Sequence, residues 1–129
     1  MLDNLNKKKI LIADDEELIV WSLRKYFEAD GYHVDMVHNG SDALMRLKNN
    51  TYNIIVTDLF MPDMSGMEVL IKMKENGIRI PVIITSAYFS EKIMSEIMNE
   101  GAFKCINKPF QMEDVLGAIK EAEHFSYNL

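Results

Sequence analysis

The strongest constraint on the fold is a hydrophobic period that changes back and forth along the chain. Apolar or alternating runs too short to be helices end in polar residues, and each is followed by a stretch with helical spacing, five times over. Lys9 to Ala13, Lys-Ile-Leu-Ile-Ala, reads as a strand buried on both faces and ends in Asp14-Asp15-Glu16-Glu17. Those acids open a helix to about Asp30, where they face the positive end of its dipole, and Gly31 stops it. Ile19, Leu23, Tyr26 and Phe27 form its expected buried stripe. Val20 and Trp21 fall off that stripe, either as part of an apolar surface for a partner or as two scattered exposed hydrophobes. His33 to Val37 alternates, with Val34 and Met36 on one side, as an edge strand does. Asn39-Gly40-Ser41 turns the chain into a short helix marked by Ala43, Leu44 and Leu47, which ends at Asn49-Asn50.

The stretch from Asn53 to Gly66 is the centre of the pattern. Asn-Ile-Ile-Val-Thr runs straight into Asp58, and Pro62 and Gly66 then forbid a regular continuation, so a carboxylate is delivered to the end of a strand. Met67, Leu70, Ile71 and Lys74 fit a helix closed by Gly77. Ile80 to Ser86 is the next apolar run, with Pro81 tolerable only near its beginning. Ser90 caps a helix carrying Ile93, Met94, Ile97 and Met98, which Gly101 ends. Phe103 to Ile106 is a last short strand before Asn107-Lys108-Pro109, and Met112, Val115, Leu116 and Ile119 give the closing helix, loosened by Gly117.

Strand and helix alternating in this way predict an α/β fold, a doubly wound five-stranded parallel sheet with right-handed crossovers and helices on both faces. The carboxyl ends of such strands share one edge, where this class binds its ligands, and that collects Asp14-Asp15, Asp58, Ser86 and Lys108 at one place. With 129 residues and 48% apolar content the chain makes one domain, expected over residues 9–124 between tails at 1–8 and 125–129. A formal net charge of −6, with no basic cluster beyond Lys7-Lys8-Lys9, argues against direct nucleic-acid binding. The apolar runs are far shorter than the roughly 18 residues of a membrane span. With one cysteine, Cys105, and no apolar leader, a soluble cytoplasmic protein is expected.

Three carboxylates within about 4 Å of one another repel by roughly 4 kcal/mol per pair at an effective dielectric near 20, so a cation is expected among them. Oxygen-only donors at a partly open site suit Mg²⁺ or Mn²⁺. Lys108 is a point charge of the kind that holds phosphate, and the Ser86 hydroxyl is a further donor to an anionic oxygen. Together they describe phosphoryl transfer to a carboxylate nucleophile. An isolated Asp-Asp pair before a helix is more often a cap than a metal site, and Lys-Pro alone says little. Their joint placement at successive strand ends is what points to chemistry.

Asp14-Asp15, Asp58-Leu-Phe-Met-Pro-Asp-Met-Ser-Gly66, Thr85-Ser86-Ala87 and Gly101-Ala-Phe-Lys-Cys-Ile-Asn-Lys-Pro-Phe110 together resemble the receiver domain of two-component response regulators, from about Lys9 to Glu121. The resemblance implies a flavodoxin-like (βα)5 fold with strand order 2-1-3-4-5. It implies phosphoryl transfer to Asp58 from a sensor histidine kinase or a histidine phosphotransfer protein, by a domain that catalyses its own phosphorylation and is a signalling protein rather than an enzyme. By the family pattern Asp15 and Asp58 ligate the metal directly, the Phe60 backbone carbonyl is a third ligand and Asp14 acts mainly through water. Ser86 takes the place of the switch hydroxyl, Lys108 that of the phosphoryl-contacting lysine, and the Lys108-Pro109 bond is expected to be cis. Output would come from a downstream effector or output domain, by a monomer or a phosphorylation-dependent dimer.

Two positions depart from the pattern. Cys105 stands three residues before the lysine where receivers commonly carry Tyr or Phe; Phe103 is a candidate substitute, and strand alternation is expected to put both on the same face without making them equivalent. Phe60 and Tyr88 flank the site as aromatics; they either narrow the approach of water to an acyl phosphate or lie along the surface and leave it open. An aspartyl-phosphate phosphohydrolase would want a second acid where Phe60 stands. A flavin-binding module would want a Ser/Thr/Gly-rich loop where four acids follow the first strand. The receiver of a longer transcription factor is the remaining alternative.

Overall fold

In the computed structural model, which describes residues 7–124, five strands and five helices alternate without exception. The strands are β1 (Lys9–Ala13), β2 (His33–Val37), β3 (Ile54–Asp58), β4 (Val82–Ser86) and β5 (Lys104–Asn107). The helices are α1 (Glu17–Ala29), α2 (Gly40–Asn49), α3 (Gly66–Glu75), α4 (Glu91–Asn99) and α5 (Met112–Glu123). All strands are parallel, in the order β2-β1-β3-β4-β5. The expected tails fall almost wholly outside the described residues, and no described helix is long and apolar enough to cross a membrane.

The continuous apolar runs are explained by burial on both sides of the sheet. Ile10, Ile12, Ile54, Val56 and Ile83 face one layer, built by Val20, Leu23 and Phe27 of α1 and Val115, Ala118, Ile119 and Ala122 of α5. Leu11, Ala13, Ile55, Val82 and Ile84 face the other, built by α2, α3 and α4 through Ala43, Leu47, Val69, Leu70, Met73 and Ile97. Each large side chain so buried contributes about 1.5–3 kcal/mol relative to leaving it in water. The strand ends are thereby held rigidly enough to place chemistry. Gly31 (φ 93°) and Gly101 (φ 103°) end α1 and α4 in the left-handed region, where a side chain would be strained.

Helix phases differ from the sequence reading in two places. The first helix begins at Glu17 rather than among the acids before it, and its stripe is Val20, Leu23 and Phe27. Val20 is fully buried, so it belongs to the core and not to a partner surface, while Tyr26 is turned outward. Trp21 does stay exposed, with the Lys25 ammonium 5.7 Å above its ring. In α3, Val69, Leu70 and Met73 are buried, whereas Lys74 is outside and pairs with Glu100 of the α4 end at 3.0 Å. Ser65 fixes where α3 begins, because it caps the helix in a reciprocal box with Glu68.

Candidate functional site

Parallel register assembles the site. Ala13 pairs with Thr57 and Asp58 with Thr85, so Asp14 and Asp58 emerge side by side where β1 and β3 end. Ser86 pairs with Asn107, and the Lys108 N–H donates to the Ser86 carbonyl at 2.8 Å, which ties the lysine to the end of β4. Asp58 is 7% exposed and Asp14 is buried beside it. The Lys108–Pro109 bond is cis, as expected, and the lysine side chain reaches back into the gap.

Lys108 is the cation at the centre of the acids. Its Nζ lies 2.9 Å from Asp14 Oδ2, 3.0 Å from Glu16 Oε1 and 3.4 Å from Asp58 Oδ2. Burial works against its charge, but hydrogen bonds to Asp14 and Glu16 outweigh that and raise its pKa. For Asp58 the balance falls the other way. Burial and then the Asp14 charge push its carboxyl up to about 6, against the opposing pull of Lys108, and Asp15 adds to the rise. A buried carboxylate that ionises reluctantly beside other acids is what an approaching cation or phosphoryl group would relieve.

Ligand atoms of Asp14, Glu16 and Asp58 lie within 4.8 Å of one another, an all-oxygen set of hard donors that fits a small divalent cation. Glu16 is a member of this group that sequence reasoning passed over as a helix-opening acid. The signal available was its place beside the Asp pair, but only the return of Lys108 to it shows what it contacts. Asp15 is exposed and outside that group, though close enough to act on Asp58. The Asp14 side chain also accepts from the Glu16 N–H at 2.9 Å, which holds the start of α1 against the site.

Ser86 is buried at the β4 end with its hydroxyl turned along its own loop, donating to the Tyr88 carbonyl at 3.0 Å and accepting from the Tyr88 N–H at 3.3 Å. Phe60 and Tyr88 stand at the rim, 61% and 71% exposed. Cys105 is half-buried, pairs with Ile84 and packs against the α2–α4 layer, and burial raises its thiol pKa. Phe103 packs against the opposite layer, with α1 and α5. The two residues are therefore not on one face: Phe103 lies in the bend before β5, where alternation has not begun, so it does not stand in for an aromatic at position 105.

Comparison with known proteins agrees with this geometry. The sequence family described as the response regulator receiver domain matches residues 10–120. The transcriptional regulatory protein YkoG of Bacillus subtilis is 33% identical over 118 residues, 92% of this chain and 52% of that protein. Response regulator RR06 of Streptococcus pneumoniae is 35% identical over 111 residues, 86% of this chain and 51% of that one. The chain thus spans about half the length of the curated relatives it matches. Among solved structures, a CheY-like receiver domain protein from Methanospirillum hungatei superposes with a TM-score of 0.86 at 32% identity, covering 90% of this chain and 93% of that one. FixJ-N gives 0.83 at 33% identity, covering 94% and 98%.

Proposed function

The chain belongs to the response regulator receiver family, whose members accept a phosphoryl group in two-component signalling, and from that premise we propose that Asp58 is its acceptor, served by Lys108, Ser86 and a divalent cation. The observation that carries the assignment is the burial of Asp58 at the end of β3 with Lys108 3.4 Å away and Asp14 beside it. No other described aspartate combines a strand end, burial and a lysine with Asp14 as its neighbour.

In the proposed reaction an Asp58 carboxylate oxygen attacks the phosphorus of a phosphohistidine. The new O–P bond forms as the N–P bond breaks, and the imidazole leaves with the electron pair and takes a proton. Asp58 must be ionised to attack, and its pKa of about 6 leaves it so at neutral pH. Lys108 is positioned to follow the charge from the carboxylate to the phosphoryl oxygens. Ser86 can give a hydrogen bond to the same group only by releasing the Tyr88 carbonyl, which would shift the loop from Ser86 to Ser90 and change the surface next to α4. Asp14, Asp15, Glu16, Asp58 and the Phe60 carbonyl are the groups that would hold Mg²⁺ or Mn²⁺, whose charge would offset the repulsion between acids and phosphoryl oxygens.

The receiver unit is proposed to span residues 9–124, to catalyse its own phosphorylation and to work in the cytoplasm with a sensor histidine kinase or phosphotransfer protein. Its output would be altered protein contacts, with an effector or an attached output domain. Incubation with Mg²⁺ and acetyl phosphate, followed by intact-mass measurement, should add one phosphoryl group. Chelation of the metal should prevent it, and labelling that persists in Asp58→Asn would overturn the assignment.

A further inference from the structure

The loop from Phe60 to Ser65 carries the proposed metal-binding carbonyl, yet Phe60 itself is exposed and does little to anchor it. Its two ends are tied where the Gly66 N–H donates to the Leu59 carbonyl at 2.8 Å. There is no room for a side chain at that tie, since a Cβ on Gly66 would lie 2.5 Å from the Asp58 carbonyl oxygen. The tip is held from a different element. The Asp63 carboxylate accepts from the Gly40 N–H at 2.9 Å and the Ser41 N–H at 3.0 Å, at the opening of α2.

A helix begins with four N–H groups that lack intrahelical acceptors. In α2 the first intrahelical bond runs from the Ala43 N–H to the Asn39 carbonyl at 3.1 Å; ahead of it the Asn39 side chain takes the Asp42 N–H at 2.8 Å, and the N–H groups of Gly40 and Ser41 go to Asp63. Gly40 lets the loop approach this closely, because a Cβ there would lie 2.6 Å from both Cβ and the carbonyl oxygen of Met64. The Asp63 carboxyl is held down to about 2, first by the Ser41 side chain and, beyond the cost of desolvation, by the two backbone donors, so the clasp is charged across the neutral range. A cap supplied by a neighbour in sequence would serve the helix equally well. One reaching over from the β3–α3 loop also fixes that loop.

We propose that Asp63 is a positioning residue for the metal site, which grips the start of α2 and thereby holds the Phe60 carbonyl in place beside Asp58. The inference rests on the reading of Asp58 as a metal-dependent acceptor. Isothermal titration of the full chain with MgCl₂ tests it, with Asn39→Ala as the control that removes a cap from the same helix without touching the loop. Asp63→Ala should weaken Mg²⁺ binding roughly tenfold or more, as loss of a group supporting metal ligands does. Asn39→Ala should change it by no more than about twofold while lowering the melting temperature in EDTA. Equal Mg²⁺ affinities in the two variants would mean that Asp63 only caps α2, and would overturn the inference alone. If Asp63→Ala does not fold, Asp63→Asn takes its place, and an affinity there within about twofold of wild type overturns the inference equally. Wild-type protein that binds no Mg²⁺ would overturn the metal reading itself.

Discussion

Two aspartates of the same sheet, on strands separated by β1, show opposite electrostatics. Asp35, on the edge strand β2, is also pushed up by burial, but a hydrogen bond from the Tyr52 hydroxyl, then His33 Nε2 at 3.2 Å and Arg46 at 3.8 Å, hold it below the usual carboxylate range. Asp58 has one cation, shared with Asp14 and Glu16, and is raised to about 6. Asp35 is surrounded by donors and steadies the fold. Asp58 is surrounded by acids and works against the fold, and the same crowding makes its site ready for a cation and a phosphoryl group. The difference lies in the partners, since residue type and β-strand placement are shared.

The largest test of this contrast is Asp58→Asn, which should abolish phosphoryl labelling outright while leaving the fold intact. In EDTA it should also change the pH dependence of stability. The folded-state pKa of Asp58 is above its unfolded value of about 4, so the folded state holds the proton more tightly between about pH 4 and 6, and stability falls as pH rises through that window. A shift of roughly two units corresponds to about 3 kcal/mol, an order-of-magnitude figure. Urea unfolding of wild type across that range should show the decline, and Asp58→Asn should lack it. Asp35 has the opposite sign: its lowered pKa supplies stability that is present above the unfolded value and is lost as pH falls through the folded one.

Lys108→Ala comes next. Removing the shared cation should cut the rate of acetyl phosphate labelling on the order of 100-fold, as loss of a preorganised charge at a reacting group does. Mg²⁺ binding by calorimetry should remain largely intact if, as proposed, the lysine meets the phosphoryl group rather than the metal. Loss of both together would show that Lys108 instead holds the acids in register. The counterpart at the structural aspartate is smaller: Asp35→Ala leaves the Tyr52 hydroxyl, whose pKa is pushed up to about 12, without its acceptor. That should cost about 1–2 kcal/mol in urea unfolding with no effect on labelling. A labelling defect in Asp35→Ala would break the division between the two sites.

Most of the fold was legible because it depends on period and punctuation: each apolar run with its polar end gave a strand, and Gly31, Gly77 and Gly101 ended helices as read. The convergence of Asp14, Asp58, Ser86 and Lys108 followed from parallel topology alone. What was not legible depends on helix phase and on contacts distant in sequence. Val20 looked like surface because Ile19 and Val20, four and three residues before Leu23, both fit a helical stripe, and spacing alone does not choose between them. Glu16 looked like an ordinary first-turn acid until Lys108, 92 residues later, was seen to reach it. Asp63 drew no role of its own from the sequence, and its grip on Gly40 and Ser41 spans two loops that no local pattern connects.

The smallest expected effect concerns how long the phosphoryl group lasts. Water must approach the acyl phosphate in line with its bond to Asp58, and side chains two residues after Asp58 and after Ser86 are placed to orient it. Phe60 there can neither donate nor accept a hydrogen bond, and Tyr88 offers a single hydroxyl poorly placed to act as a base. Both rings extend into solvent at the rim in the unphosphorylated fold. Tyr88 is also linked through its backbone to the Ser86 hydroxyl, so a Ser86 that turns to the phosphoryl group frees the segment carrying the ring to move over the site. Hydrolysis should therefore be slow, and the doubly substituted Phe60→Asn, Tyr88→Glu protein should lose phosphate roughly tenfold faster in Mg²⁺ buffer, less than a fully positioned general base supplies. Following the phosphorylated mass over time measures this directly. Unchanged decay would mean that the rings stay off the approach path as they do here, and that the lifetime is set by Lys108 and the metal alone.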